Sequence, residues 1–413
     1  MATKKKRVLI LGGGFGGIKV ALELAGHPAY GITLVSDQDN FRYYPQLYHA
    51  ATGGSSHASE ISLQEIFAGK DVRVIKDRVR KLNRQDMTVE GESGKKYNFD
   101  ILVVALGVVT NFFGIRGLAE NSYGIKTLDE ARRFRKHLHE LMADKGQPDL
   151  NYVVIGGGAT GVELAGALPA YLRYIMKNHG VNYKPLHIDL VEAESRVLPR
   201  MPKSYSQAAQ KRLRRLGITL HLGQKVEAET ADALRVSSDA KIGAPTTSVG
   251  ADRSIKSHTV VWTAGVTNHP FLKDNNFHLS SNGKVIVDQY MLAEPEIFVI
   301  GDNADTKYSG MAQTAMYDGR FIAAHLLAAA NGKKQRPYQA KRPVYVIPVG
   351  SYWAAVLWGK MHIYGWLGWM LRALADLVAY HGLEPWWKAS KQWRATFDTE
   401  EDCPICSAEE TQQ

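Results

Sequence analysis

Short apolar runs, each closed by glycine or another small residue, recur along the chain and outline its skeleton. Val8 to Leu11 runs into Gly12-Gly13-Gly14, and Tyr152 to Ile155 runs into Gly156-Gly157-Gly158. Continuous rather than alternating apolarity over so few residues describes a strand buried on both faces, as in parallel sheets. After each glycine cluster the pattern becomes helical, over Ile18 to Leu24 in the first copy and from Val162 in the second. Ile101 to Val104 before Ala105-Leu106-Gly107, and Val260 to Thr263 before Ala264-Gly265, read as two more buried strands, placed to return the chain between two units. A last one, Ile297 to Ile300, ends in Gly301-Asp302. Strands alternating with helices predict an α/β fold.

Both glycine clusters are G-x-G-x-x-G, at Gly12, Gly14 and Gly17 and at Gly156, Gly158 and Gly161. Each directly follows a strand and opens a helix, the context that gives this motif its meaning. Glycine lets the backbone approach a pyrophosphate, and the helix N-terminus offers free N–H groups and partial positive charge. Two Rossmann-like dinucleotide-binding domains are therefore expected. The next strand of such a unit should end in a carboxylate for a ribose. The strand from His187 ends at Glu192, whose charge accepts from a 2′-hydroxyl and repels a 2′-phosphate, so NADH is expected over NADPH. In the first copy Val35 is followed by Ser36 and then Asp37, so the candidate carboxylate is offset by one position. Asp302 is placed to accept from the ribityl hydroxyls of a flavin, with the following helix N-terminus facing its phosphates.

The pattern changes after residue 332. From Pro343 to Leu371 the only Lys, Arg, Asp or Glu is Lys360, yet Gly350, Gly359, Gly365 and Gly368 interrupt the run, a poor pattern for a spanning helix. Cations flank it, and seven of the eight tryptophans lie between Trp353 and Trp393. Leu371 to Tyr380 reads as a short helix with Leu374, Leu377 and Val378 on one side and Arg372 and Asp376 on another. Tryptophan with lysine and arginine fits a C-terminal amphipathic, membrane-associating segment lying on anionic lipid. The alternative use of the same aromatics is a homodimer interface. The expected boundaries are 1–112 and 282–332 for one nucleotide domain, 113–281 for the other, 333–394 for the membrane segment and 395–413 for an acidic tail. A cut after Ala330 is expected to separate nucleotide chemistry from membrane binding.

Composition refines this in three places. With 413 residues and 45% hydrophobic content the chain can bury a large core without cross-links. Its two cysteines, Cys403 and Cys406, both lie in the tail, which fits a reducing cytosol and amounts to half a zinc site at most, so no metal centre is expected. Val8 to Leu11 is too short an apolar run for a signal peptide. The net charge of +10 would suit nucleic acid if it were spread over a compact domain. Ten Lys and Arg against Asp376 and Glu384 instead concentrate it between Lys333 and Arg394, so a membrane surface is expected and nucleic acid is not.

Taken in order, fingerprint, returning strand, second fingerprint, second returning strand and Gly-Asp resemble the two-dinucleotide-binding-domain flavoproteins. Within them the chain is similar to type II NADH:quinone oxidoreductases, most closely over Gly156 to Leu168, Val191 to Pro199, Pro45 to Gly53 and Ile297 to Ala304. The resemblance implies FAD at the first fingerprint and the Gly-Asp turn, and NADH at the second fingerprint. It implies that Gly12, Gly14, Phe15, Gly17, Asp37, Ala105, Gly107, Gly156, Gly158, Gly161, Glu192, Gly265, Gly301, Asp302, Ala312 and Gln313 line the two nucleotides. It places Glu163 near nicotinamide and flavin in a coupling role. The family's A-Q-x-A-x-Q stands here as Ala312-Gln313-Thr314-Ala315-Met316-Tyr317, so Gln313 matches and Tyr317 replaces the second glutamine. A tyrosine can still donate to a quinone carbonyl, which makes Glu163, Gln313 and Tyr317 the candidate catalytic residues. The implied activity passes hydride from NADH to FAD and two electrons to a membrane quinone without ion pumping, at the cytoplasmic face of the cell membrane as a peripheral protein. Two alternatives stand beside it: an NADH-dependent flavin reductase with a non-quinone acceptor, prompted by Tyr317, and a flavin-bearing redox sensor or interaction protein. Disulfide reductases and sulfide:quinone oxidoreductases need thiolates beside the flavin, and no cysteine precedes Cys403.

Overall fold

The computed structural model describes residues 5–143, 150–181, 185–238 and 253–400. Cys403, Cys406 and most of the acidic tail lie outside the described residues. The first glycine cluster leaves the strand Lys6–Leu11 within a six-stranded sheet ordered Leu292–Glu294, Ile297–Val299, Ile101–Val104, Lys6–Leu11, Tyr30–Ser36 and Val72–Lys76. Only the Leu292–Glu294 edge is antiparallel. The second cluster leaves Asn151–Ile155 in a parallel sheet ordered Ile218–Leu222, His187–Glu192, Asn151–Ile155 and Thr259–Trp262. Val8 to Leu11 and Tyr152 to Ile155 are buried along their whole length, which is why their apolarity is continuous.

The chain crosses between these units twice, and the crossings pair with each other, Val108–Thr110 antiparallel to Val266–Asn268. This return precedes the boundary at 281 expected from sequence. Phe271, Leu272 and Phe277 already belong to the first unit's core. Asn275 fixes them there, its Oδ1 accepting the Leu82 N–H at 2.6 Å and its Nδ2 donating to the Arg80 carbonyl at 3.0 Å. The helix Phe15–Leu24 crosses the helix Ala312–Ala330 so closely that a Cβ on Gly319 would lie 2.7 Å from the Gly16 carbonyl oxygen.

The C-terminal segment corrects the sequence reading most. Residues 345–365 form a three-stranded antiparallel sheet, Tyr345–Pro348, Ala354–Trp358 and Met361–Gly365, followed by the helices Trp366–His381 and Trp386–Ala395. The interrupting glycines are its turns: Gly350 and Gly359 have φ of 74° and 60°. Gly368 lets the long helix settle on the sheet, since a Cβ there would stand 2.3 Å from the Ala354 carbonyl oxygen. Tyr380 and Leu383 join the core of the first unit, and Ile347, Val349 and Leu357 join that of the second. At about 1.5–3 kcal/mol for each large apolar side chain, these five contribute as much as the whole stability of a typical domain, about 5–15 kcal/mol. A cut after Ala330 therefore opens both cores rather than releasing a separate membrane module. Among the described residues no helix is long and apolar enough to cross a membrane.

Candidate active site

Gly12 and Gly156 turn the chain with φ of 111° and 108°. A Cβ on Gly12 would meet the Ala105 carbonyl oxygen at 2.2 Å, and one on Gly156 would meet the Ala264 Cα at 2.7 Å. At Gly17 and Gly161 a Cβ would lie 2.1 and 1.8 Å from the carbonyl oxygens of Gly12 and Gly156. The outer glycines of each motif are thus required by the protein's own packing. At Gly14 and Gly158 a Cβ would meet nothing within 4 Å, and neither residue caps its helix with a side chain. Backbone open to approach at an uncapped helix start is what a phosphate seat requires. Both cradles fit a dinucleotide.

At the second fingerprint the Glu192 carboxylate accepts from the Gly157 N–H at 2.6 Å and from the Glu194 N–H at 2.8 Å. Ile155 pairs with Val191 as Leu11 pairs with Val35, so the counterpart of Glu192 is Ser36. Asp37 stands one residue further on, half exposed and 4.0 Å from Arg78. The Phe15 ring turns into the core, edge-on to Phe41 with centroids 4.8 Å apart, so only its backbone is left for a ligand. Gly265 lies against the inter-unit crossing, where a Cβ would stand 2.2 Å from the Asn111 carbonyl oxygen.

The Gly301-Asp302 turn is held by two residues that sequence reasoning missed. Asn303, fully buried, accepts the Gly107 N–H at 2.9 Å and donates to the Gly107 carbonyl at 2.7 Å, locking the returning strand to the turn. Asp318, also fully buried, accepts the Gly301 N–H at 3.0 Å and the Tyr338 hydroxyl at 2.6 Å. Burial pushes its carboxyl up to about 6, against the pull of those two donors. Asp302 itself is half-buried, and its charge acts on Lys126 and Lys284, two lysines whose burial lowers their pKa. Lys126 also stands 5.2 Å from the centre of the Tyr44 ring. Two cations beside the Gly-Asp turn suit a pyrophosphate.

Gln313 lies in the first turn of the helix Ala312–Ala330, with Tyr317 one turn later. Gln313 Oε1 accepts the Val344 N–H at 2.8 Å, and Lys341 Nζ stands 5.4 Å from the centre of the Tyr317 ring. The strap leading into the C-terminal sheet therefore runs across both.

Glu163 lies in the helix opened by the second fingerprint and is almost wholly buried. Burial pushes its carboxyl up to about 8, while Arg372 pulls it down and Asp376 pushes it further up. Arg372 is 4.0 Å away, because its guanidinium is committed to Asp376 at 2.9 Å and to the Pro45 carbonyl at 2.9 Å. Asp376 also accepts from the Tyr43 hydroxyl at 2.6 Å and from Gln46 Nε2 at 2.9 Å. The outcome is a carboxylic acid that holds its proton at neutral pH beside a neutralised ion pair. The sequence puts Arg372 and Asp376 on a different side of the helix Trp366–His381 from Leu374, Leu377 and Val378. Arg372 and Asp376 face inward, and Leu374 and Val378, 47% and 62% exposed, face out.

The model of the pyridine nucleotide-disulphide oxidoreductase family matches residues 6–319. The type II NADH:quinone oxidoreductase of Staphylococcus epidermidis is 29% identical, over 82% of this chain and 86% of its own. Ndh of Mycobacterium tuberculosis, also a type II NADH:quinone oxidoreductase, is 27% identical over 95% and 88%. Among solved structures, NDH2 of Plasmodium falciparum in complex with NADH superposes with a TM-score of 0.83 at 16% identity, covering 95% of this chain and 98% of that one. The sulfide:quinone oxidoreductase of Aquifex aeolicus superposes with a TM-score of 0.76 at 19% identity, covering 97% and 98%.

Proposed function

The chain belongs to the pyridine nucleotide-disulphide oxidoreductase family, and we propose that within it this protein is an FAD-dependent NADH:quinone oxidoreductase that does not pump ions. The observation that carries the reading is Glu163. It puts a protonated carboxyl, near pKa 8, just inside the helix that receives NADH. Reduction of a quinone takes up two protons with two electrons, so a buried acid next to the electron path has work to do that a disulfide reductase would give to cysteine. No cysteine lies within residues 6–319, which sets the chain apart from the sulfide chemistry of its Aquifex neighbour.

FAD, when bound, supplies the hydride acceptor and the electron relay between NADH and quinone. The chain's own part is positioning and proton supply. The first fingerprint and Lys126 and Lys284 hold the pyrophosphate of FAD, and Asp302, aimed by Asn303 and Asp318, receives its ribityl hydroxyls. The second fingerprint holds NADH, and Glu192 binds its ribose. Gln313 and Tyr317 position the acceptor, and Glu163 holds the proton.

The protein acts as a peripheral enzyme at the cytoplasmic face of the membrane. Support comes from the apolar side of the helix Trp366–His381, where Trp366, Leu367, Leu374 and Val378 are exposed beside Trp386 and Trp387. Lys360, Lys388 and Lys391 lie nearby in the chain. Such a surface binds anionic lipid through apolar burial and charge together. Purification in detergent should give a yellow protein whose FAD is released by denaturation. NADH should bleach the flavin, and a short-chain quinone should restore its colour. A flavin that NADH does not reduce would end the proposal, and reoxidation by soluble acceptors but not quinones would favour the flavin-reductase reading. Flotation with anionic vesicles should exceed that with neutral ones and fall with salt. A concentration-dependent dimer that does not float would assign the aromatics to a homodimer.

A further inference from the structure

A cavity of about 400 Å³ opens between the second nucleotide unit, the Gly-Asp side of the first and the C-terminal sheet. Its walls include Arg200, Tyr308, Arg342 and Tyr345. The loop bearing Arg200 is anchored to the second fingerprint, since the Leu198 N–H donates to the Gly157 carbonyl at 2.7 Å. The loop is also stiffened from within, because Arg196 donates to the carbonyls of Pro199 and Met201. The opposite wall is tied to the start of the helix Ala312–Ala330. Thr314 Oγ1 donates to the Tyr308 carbonyl at 3.0 Å, and the Val344 N–H, next to Tyr345, donates to Gln313. The cavity therefore lies between a loop anchored to the second fingerprint and a wall tied to the start of the helix that bears Gln313.

Arg196 is occupied by carbonyls, but the guanidinium groups of Arg200 and Arg342 have no hydrogen-bond or ion-pair partner among the described residues and are exposed at this opening. Two arginines without a partner that line one cleft offer an anion two positive charges, and the fork geometry of guanidinium suits phosphate oxygens. We propose that Arg200 and Arg342 form a cationic seat for the diphosphate of NADH, Arg200 from the loop anchored to the second fingerprint and Arg342 from the opposite wall. The strap leading into the C-terminal sheet, through Arg342, thereby takes part in nucleotide binding. The inference rests on the reading of the second fingerprint as the NADH site.

The test uses FAD-loaded full-length protein and the variants Arg200→Gln, Arg342→Gln and both together, followed by rapid mixing with NADH under anaerobic conditions. Loss of charge-assisted bonds to phosphate should raise the Kd for NADH about fivefold in each single variant and more than about tenfold in the double. The limiting rate of flavin reduction should hold, and the salt dependence of Kd should flatten. Reduced nicotinamide mononucleotide, which carries one phosphate, should lose less affinity than NADH. An unchanged Kd for NADH in a double variant with normal FAD content overturns the seat. An equal loss for the mononucleotide also overturns it, by placing the arginines at a single phosphate. If NADH fails to reduce even the unmodified protein, the proposed function falls. The seat is then judged by tryptophan-fluorescence titration with NAD⁺, where equal affinity of the unmodified and double-variant proteins refutes it and weaker binding by the double variant upholds it.

Discussion

At the first fingerprint Gly12 turns with φ of 111° and a Cβ on Gly17 would strike the Gly12 carbonyl; at the second, Gly156 turns with φ of 108° and Gly161 meets Gly156 in the same way. The two turns are near copies. What differs is the side chain at the exit of the neighbouring strand, Ser36 in one and Glu192 in the other. The helices also differ in what they carry inward: Phe15 packs against Phe41, whereas Glu163 reaches a buried ion pair. On the proposed reading, then, the backbone makes a phosphate seat, and a few side chains decide which dinucleotide uses it and what chemistry follows. A resident cofactor needs only to be held. A substrate that comes and goes must be selected at its ribose and served at its reactive end.

The largest effect should come from breaking each turn in its own unit. Gly17→Ala puts a methyl 2.1 Å from a carbonyl oxygen and Gly161→Ala puts one 1.8 Å away, contacts that the backbone must move to relieve. Such overpacking costs about 1–3 kcal/mol or more. Gly17→Ala should yield protein without FAD. Gly161→Ala should keep its FAD and lose reduction by NADH, measured as flavin content and anaerobic bleaching. If both lose FAD together, the two seats are not independent.

A smaller effect tests the inward-facing side chain. Glu163→Gln should slow quinone reduction near pH 7 by about 100-fold, the lower range for a general acid, while leaving reduction of the flavin by NADH largely intact. In the unmodified protein the quinone step should fall as pH rises through about 8, where Glu163 loses its proton, and the variant should lack that transition. Stability gives an independent sign. A carboxyl whose folded pKa is raised to about 8 stabilises the fold below its unfolded value of 4.5, and the contribution is lost as pH climbs towards 8. The melting temperature of the unmodified protein should therefore drop over that window more than that of the glutamine variant.

These residues also mark where the sequence was legible. Strand, glycine turn and helix could be read because each depends on neighbours in the chain: burial on both faces makes apolarity continuous, and a tight turn demands glycine. The place of Glu192 could be read because its strand ends where its charge begins. Arg372 and Asp376 could not. The periodicity of a helix says which residues share a side, but not which side meets the protein, and here the charged side meets Tyr43, Gln46 and Glu163 while leucine and valine face out. The strands within residues 345–365 were not legible because the glycines that interrupt the run exclude a spanning helix without saying that the pieces between them pair as a sheet. Asn303 was within reach, directly after Gly-Asp, but its bonds to Gly107 join positions far apart in sequence.

At the ribose end, Glu192→Ala should narrow the preference for NADH over NADPH by about tenfold, roughly 1.4 kcal/mol, as the repulsion of a 2′-phosphate is removed. The ratio of kcat/KM for the two nucleotides measures it directly. An unchanged ratio would mean that Glu192 serves only to brace Gly157, which it contacts at 2.6 Å.

The smallest expected effect is the sharpest test of the comparison. Strand register assigns Ser36, not Asp37, to the place of Glu192, and Asp37 stands one residue beyond, half exposed and only 4.0 Å from Arg78. A charge so placed is screened by water and already near a counter-charge, so its contribution should be about 1 kcal/mol at most. Asp37→Asn should therefore weaken FAD binding less than about fivefold by that bound, measured by flavin release and rebinding. Ser36→Glu should act more strongly, because it would set a carboxylate against the N–H of Gly13 as Glu192 is set against that of Gly157. If Asp37→Asn instead strips the protein of FAD, the first unit reaches its ribose from the offset position, and the two fingerprints are alike in function after all despite the register of their strands.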